Sequence, residues 1–155
     1  MRKTVLLMAV TAVSLLVAGG VALAATIDCA ASCVGTNEPD RLIGSNRNQT
    51  MQGLNGGDSI SGYRGDDRVE GDGGADAVYG GLDDDKVYGN GGNDYVEGDF
   101  GHDYINTGSG RDKVAARDGY KDRIICGQGN RDIVYKDRID KTRGCERTTN
   151  QKPSP

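Results

Sequence analysis

Aspartate returns at every ninth residue through the middle of this chain: Asp58, Asp67, Asp76, Asp85, Asp94, Asp103 and Asp112, with Asp40 on the same lattice upstream. Two residues after each comes an aliphatic: Ile60, Val69, Val78, Val87, Val96, Ile105 and Val114, with Leu42 upstream. Units beginning at Gly35, Gly44, Gly53, Gly62, Gly71, Gly80, Gly89, Gly98 and Thr107 therefore carry the acid at the sixth position and the aliphatic at the eighth, except that the Gly44 unit has Gln49 and Met51 there. From the Gly53 unit onward glycine also holds the fourth position, at Gly56, Gly65, Gly74, Gly92, Gly101 and Gly110, with Asp83 the exception. A unit with one apolar side chain cannot bury it alone, so it must stack on its neighbours.

Each recurring residue has a physical reason. Glycine turns the chain tightly and directs its carbonyls inward. The three residues around the aliphatic make a short strand with its centre inward and its flanks outward. The flanks agree: Arg68 and Glu70, Lys86 and Tyr88, Tyr95 and Glu97. Aspartate offers a short, hard oxygen ligand of the kind calcium takes. By composition, 25 glycines, no tryptophan and 35% apolar residues fall short of an ordinary globular core. Disorder would be the compositional reading, but a disordered segment has no reason to place valine at a fixed interval.

The pattern resembles the repeats-in-toxin (RTX), or haemolysin-type, calcium-binding nonapeptide family, with consensus G-G-x-G-x-D-x-U-x, over about residues 35–114. The resemblance implies an all-β fold: a parallel β-roll, a two-sheet right-handed solenoid in which two repeats make one coil. Aspartates 18 apart would then share an edge, with Ca2+ between successive turns. One edge would hold Asp40, Asp58, Asp76, Asp94 and Asp112; the other would hold Asp67, Asp85 and Asp103, continued by Asp122. The implied metal set adds Gly56, Gly65, Gly74, Gly92 and Gly101. Gln49 stands in an aspartate place, so a cation is not expected there. Carboxylates about 4.8 Å apart repel by about 1 kcal/mol in water and roughly 3.5 kcal/mol at an effective dielectric of 20. Burying one valine or isoleucine returns roughly 1.5–3 kcal/mol. Such a roll should need its ion to fold, and ligand binding becomes folding free energy.

The flanks suggest export. Residues 1–24 read as a secretory signal peptide: Arg2 and Lys3, an apolar run from Val5 to Val17, and Ala22-Leu23-Ala24 as cleavage site. An uncleaved membrane anchor is the alternative. Cleavage would move the net charge from −4 to −6, which suits a cation and disfavours nucleic acid and stable insertion into anionic membranes. Cys29 and Cys33 fall in an N-terminal cap (25–34), ahead of repeats over 35–115. Cys126 and Cys145 fall in a C-terminal cap with degenerate repeats (116–147), before a disordered tail (148–155). In an exported chain four cysteines read as disulfides, and proximity favours 29–33 with 126–145 among three pairings. The second would close a loop of about 20 residues, worth roughly 3 kcal/mol. Metal binding by these cysteines is the rival, without zinc-type spacing to support it.

Beyond Asp112 the spacing relaxes to ten, at Asp122 and Asp132, with Ile124 and Val134 still two residues on. Basic residues gather there, including Arg117, Lys121, Arg123, Arg131, Lys136 and Arg138. They are expected to neutralise these aspartates by ion pairing, which would make calcium redundant; a basic binding patch is the alternative. The lone histidine, His102, sits at a variable repeat position, and neither G-x-S-x-G nor H-E-x-x-H occurs, so no catalysis is expected. The whole reads as a secreted calcium-binding module of structural, adhesive or interaction type with an unidentified surface partner. The alternative is a non-catalytic accessory or remnant of a secreted RTX-type enzyme or toxin.

Overall fold

A computed structural model describes residues 25–129 and 131–150. The expected signal segment, residues 1–24, lies outside the described residues. Sixteen strands follow one another without a helix among the described residues. The first five are β1 (Ala25–Asp28), β2 (Cys33–Val34), β3 (Asp40–Ile43), β4 (Thr50–Gln52) and β5 (Asn55–Gly56). Six longer ones follow: β6 (Ser59–Arg64), β7 (Arg68–Gly74), β8 (Ala77–Leu82), β9 (Lys86–Gly91), β10 (Tyr95–Phe100) and β11 (Tyr104–Ser109). The last five are β12 (Lys113–Ala116), β13 (Arg123–Ile125), β14 (Ile133–Lys136), β15 (Lys141–Arg143) and β16 (Arg147–Thr149).

The strands deal alternately into two parallel sheets. One runs β1-β3-β6-β8-β10-β12-β14-β16; the other runs β15-β13-β11-β9-β7-β4-β2, with β5 also pairing β7. Two repeats therefore make one coil, and the parallel β-solenoid expected from the period is the fold. Through the regular region the register step is 18 residues. Leu42 faces Ile60, Ile60 faces Val78 and Val78 faces Val96, while Met51, Val69, Val87 and Ile105 align in the second sheet.

Between the sheets runs a core one side chain wide. Leu42, Met51, Ile60, Val69, Val78, Val87, Val96, Ile105, Val114, Ile124 and Val134 are all fully buried. Met51 fills the eighth position of the unit whose aspartate is replaced by Gln49. The stacking continues past Asp112: β14 pairs with β12 and β15 with β13, and β16 places Thr148 and Thr149, assigned from sequence to the tail, beside Val134 and Tyr135. Outside, aromatic and basic residues pack across coils. The Arg68 guanidinium lies 4.2 Å from the Tyr88 ring centre, and Tyr79 and Tyr95 sit 5.9 Å apart.

Both predicted disulfides are present. Cys29–Cys33 ties the first turn after β1 to β2, and Cys126–Cys145 joins the last two coils of the second sheet, where the Cys126 N–H also donates to the Arg143 carbonyl.

The turns impose two backbone demands. At the fourth position a side chain would collide with the coil before it: a Cβ on Gly74 would strike the Gly56 carbonyl, and one on Gly92 the Gly74 carbonyl. From Leu54 to Gly108 the second position is left-handed, yet glycine fills it only at Gly81 and Gly108. Elsewhere the strain falls on Leu54 (φ 79°), Tyr63 (84°), Asp72 (68°), Asn90 (72°) and Asp99 (66°). Aspartate and asparagine tolerate this region; leucine and tyrosine do so at a cost. Tyr63→Gly should therefore stabilise the calcium-loaded fold by about 1 kcal/mol, and Asp72→Gly by less. Calorimetric melting of the calcium-saturated variants checks this ordering; a lower midpoint for Tyr63→Gly would contradict it.

Candidate metal centre

Two rows of carboxylates follow from the register. Each sixth-position residue ends a turn and opens a strand, so its short side chain turns inward against the preceding coil. There, one oxygen is taken by main chain. The N–H of Asp40 donates to Asp58 Oδ1 (2.8 Å), Asp58 to Asp76 (2.8 Å), Asp76 to Asp94 (3.0 Å), Asp94 to Asp112 (3.0 Å) and Asp112 to Asp132 (2.9 Å). On the other edge Gln49 donates to Asp67, Asp67 to Asp85, Asp85 to Asp103, Asp103 to Asp122 and Asp122 to Asp140, at 2.7–3.1 Å. The edge membership inferred from the sequence thus appears as two hydrogen-bonded ladders.

The second oxygen is left over. Oδ2 of Asp58, Asp67, Asp76, Asp85, Asp94, Asp103, Asp112, Asp122 and Asp132 is buried without a hydrogen-bond partner. A buried polar atom without a partner costs on the order of 1–3 kcal/mol, more when charged, so nine in two rows require an explanation. Other oxygens converge on the same places. A Cβ built on Gly71 would lie 2.6 Å from Asp76 Oδ2 and 2.9 Å from the Gly89 carbonyl; on Gly80 it would lie 2.6 Å from both Asp85 Oδ2 and the Gly98 carbonyl. Carboxylate and carbonyl oxygens crowding a small cradle, with no donor between them, form a donor set suited to a hard cation such as calcium.

Two places show what happens where the acid is altered or already capped. Asp40 Oδ2 accepts hydrogen bonds from the Thr36 N–H and hydroxyl, the latter at 2.9 Å. At Gln49, Oε1 accepts from the Ser45 N–H, and Nε2 donates to the carbonyls of Cys29 (2.6 Å) and Ala31. The amide thus brings its own donors to carbonyls of the preceding coil, giving the expectation of no cation at Gln49 a structural basis.

Burial is the main force on the acids. It pushes Asp85 up to about 8, Asp94 and Asp122 to about 7, and Asp67, Asp76 and Asp103 to about 6. The donated N–H of the preceding coil pulls each back down, and neighbouring carboxylates add to the rise. Asp58, Asp112, Asp132 and Asp140 are raised for the same first reason.

One expectation fails. Arg and Lys do not neutralise the later aspartates: Oδ2 of Asp122 and Asp132 is unpartnered, and the one ion pair among the described residues is Arg68–Glu70 (2.6 Å). The alternation of the strands explains this. Lys113, Arg123 and Lys141 occupy exposed flanking positions, whereas the carboxylates point into the turn. Lys136 Nζ donates instead to the carbonyls of Asp137 (2.9 Å) and Asp140 (3.2 Å). The ladders therefore extend to Asp132 and Asp140, and the signal for this was present in Val134 and Thr142, each two residues on. The fourth-position glycines are placed differently from the first-position ones. Sites for a Cβ on Gly56 and Gly74 lie beside Oδ1 of Asp58 and Asp76, while Gly65 packs on Arg47 and Asn48, and Gly92 and Gly101 stack on Gly74 and Asp83. A Cβ on a first-position glycine would meet Oδ2 together with a first-position carbonyl, such as that of Gly89, Gly98 or Thr107, which the spacing alone did not single out. His102 is exposed, with Nδ1 at 3.3 Å from the Lys121 N–H.

Comparison with known families gives a match. The model of the family described as RTX calcium-binding nonapeptide repeat (4 copies) matches residues 43–78 and again 79–114, so the central repeats are similar to that family's. No curated protein and no solved structure matches the chain.

The raised acids fix the sign of a pH dependence in the cation-free chain. A carboxyl near 3.8 when unfolded and at about 8 when folded, as for Asp85, keeps its proton in the fold. It stabilises the fold below the unfolded value, and the contribution is lost as pH rises through the folded one. Calcium-free protein should therefore gain β-type circular dichroism on acidification from about pH 8 to about pH 4. A spectrum that stays flat or loses structure over that window would contradict the carboxyl burial.

Proposed function

We propose that this chain, as a carrier of RTX-like repeats, is an exported calcium-dependent structural module that folds as it meets extracellular calcium and presents its two sheet faces to a surface partner. What carries the reading is the double row of buried, unpartnered Oδ2 atoms. Asp58, Asp76, Asp94 and Asp112 would hold cations along one edge, and Asp67, Asp85 and Asp103 along the other, with turn carbonyls completing the donor sets. Asp40 closes its edge, its Oδ2 already held by Thr36. When bound, calcium supplies the positive charge that turns carboxylate repulsion into coordination. This chain's own residues set the register, exclude water from the oxygens and close the ends.

Export is supported by the two disulfides, which suit an oxidising compartment. Modules that work outside the cell bind calcium near 10⁻⁴–10⁻³ M, so the chain would stay loose where calcium is scarce and set after export. The role is non-catalytic. The outer face of the second sheet, with Arg68, Lys86, Tyr104, Arg123 and Lys141 in one row and Tyr88 beside it, is the surface available to a partner.

Circular dichroism of the signal-free chain should show little β-structure in chelator at pH 8 and gain it in millimolar calcium. A spectrum indifferent to calcium would sink the proposal. Titration calorimetry of Asp94→Asn should give fewer bound ions and weaker folding, because Asp94 faces a neighbour on both sides of its ladder. Asp28→Asn, an exposed acid outside the ladders, should leave the number unchanged.

A further inference from the structure

The nonapeptide step breaks once within the second edge, where Asp122 follows Asp103 by 19 residues rather than 18. The extra residue widens the turn over residues 117–121, and that turn carries an acid belonging to no repeat position. Asp118 Oδ1 accepts from the Tyr120 N–H (2.9 Å), which aims the carboxylate, while Oδ2 is buried without a partner. One carboxylate oxygen each from Asp103, Asp118 and Asp122 lies within 4.8 Å of the others. No other group of three metal-ligating side chains comes together this closely among the described residues.

The cluster is more than acids on a surface. Asp103 and Asp122 are each 2% exposed, and their Oδ2 atoms have no partner. The turn is also clamped from both sides: the Gly119 N–H donates to Asp137 Oδ2 (2.8 Å) from the next coil, and His102 of the preceding coil sets its ring edge-on against Tyr120 at 5.9 Å. Acids such as Asp66, Asp72 and Asp83 also act on other gaps, but at none of those do three carboxylate oxygens come together this closely among the described residues.

We propose that Asp118 adds a third carboxylate to the gap between Asp103 and Asp122 and makes it the tightest calcium site of the chain, the first to fill. The inference rests on the calcium-binding reading above and goes beyond it in naming a non-repeat ligand and an order of filling. The physical reason is charge count: two carboxylates neutralise one divalent ion, and a third, already aimed and desolvated, deepens the well. Affinity in oxygen-ligand sites rises with the number of charged ligands and with site rigidity.

Titration of the signal-free chain with calcium chloride by calorimetry tests this. The wild-type isotherm should begin with one equivalent bound about tenfold or more tightly than the rest. Asp118→Asn keeps the Oδ1 acceptor for Tyr120, so the turn should stay formed; the tight step should merge with the weaker ones while total stoichiometry and calcium-induced circular dichroism persist. Terbium chloride supplies a second readout. The first equivalent should give tyrosine-excited emission that drops in Tyr120→Phe while calorimetric affinity is unchanged. An Asp118→Asn isotherm superimposed on the wild type would overturn this inference and leave the calcium module standing. Loss of the tight step in Asp28→Asn as well would also overturn it, since the effect would not belong to the site. Absence of calcium binding in the wild type would instead remove the functional reading itself.

Discussion

In every regular coil, the main-chain N–H of one sixth-position aspartate holds Oδ1 of the aspartate one coil ahead. That contact locks the stack at its 18-residue step and draws the whole carboxylate out of water, because the strand that follows cannot carry one oxygen inward and leave the other outside. The nine-residue period is the covalent consequence. A longer unit appears only after Asp112, where Asp122 and Asp132 follow at spacings of ten and still keep the N–H donor and a buried Ile124 and Val134. The leftover Oδ2 is the cost of the lock, and it is what binds the fold to a cation.

The rest of the architecture is subordinate to this lock. The core is a single column of Leu, Met, Ile and Val, too thin to offset two rows of mutually repelling acids: each buried side chain contributes roughly 1.5–3 kcal/mol, against roughly 3.5 kcal/mol for a carboxylate pair at coil spacing. Glycine is demanded where coils approach most closely. Left-handed backbone is demanded one residue after the first position whether or not glycine is there, and Leu54 and Tyr63 accept it because their side chains face outward.

Both ladders begin in groups that need no cation, and their far ends are tied off by hydrogen bonds. Thr36 satisfies Asp40, and the Gln49 amide bonds carbonyls of the first coil. At the far end, Glu146 Oε2 takes the Asp132 N–H at 2.6 Å, and Asp140 Oδ2 takes the Asp137 N–H. Disulfides sit in the same terminal coils, at Cys29–Cys33 and Cys126–Cys145. Chemistry that works without calcium is thus concentrated where a coil lacks a neighbour on one side, which is where a repeat stack is weakest.

Much of this could be read from the chain alone, because a nonapeptide repeat encodes the same local geometry many times over. The period named Val78 and Ile105 as core, and the resemblance to RTX repeats implied two repeats per parallel coil, which set Asp76 and Asp85 on opposite edges. The order of the cysteines was enough to suggest their pairs. What only the folded stack decided were contacts between residues 15 to 20 apart whose side-chain direction the sequence does not state. Arg123 is adjacent to Asp122 in sequence, yet strand alternation sends the two to opposite sides. Gln49 and Asp118 acquire their roles solely from the coil each one faces. A repeat specifies its own turn; which oxygen is left without a donor is settled when the next coil closes over it.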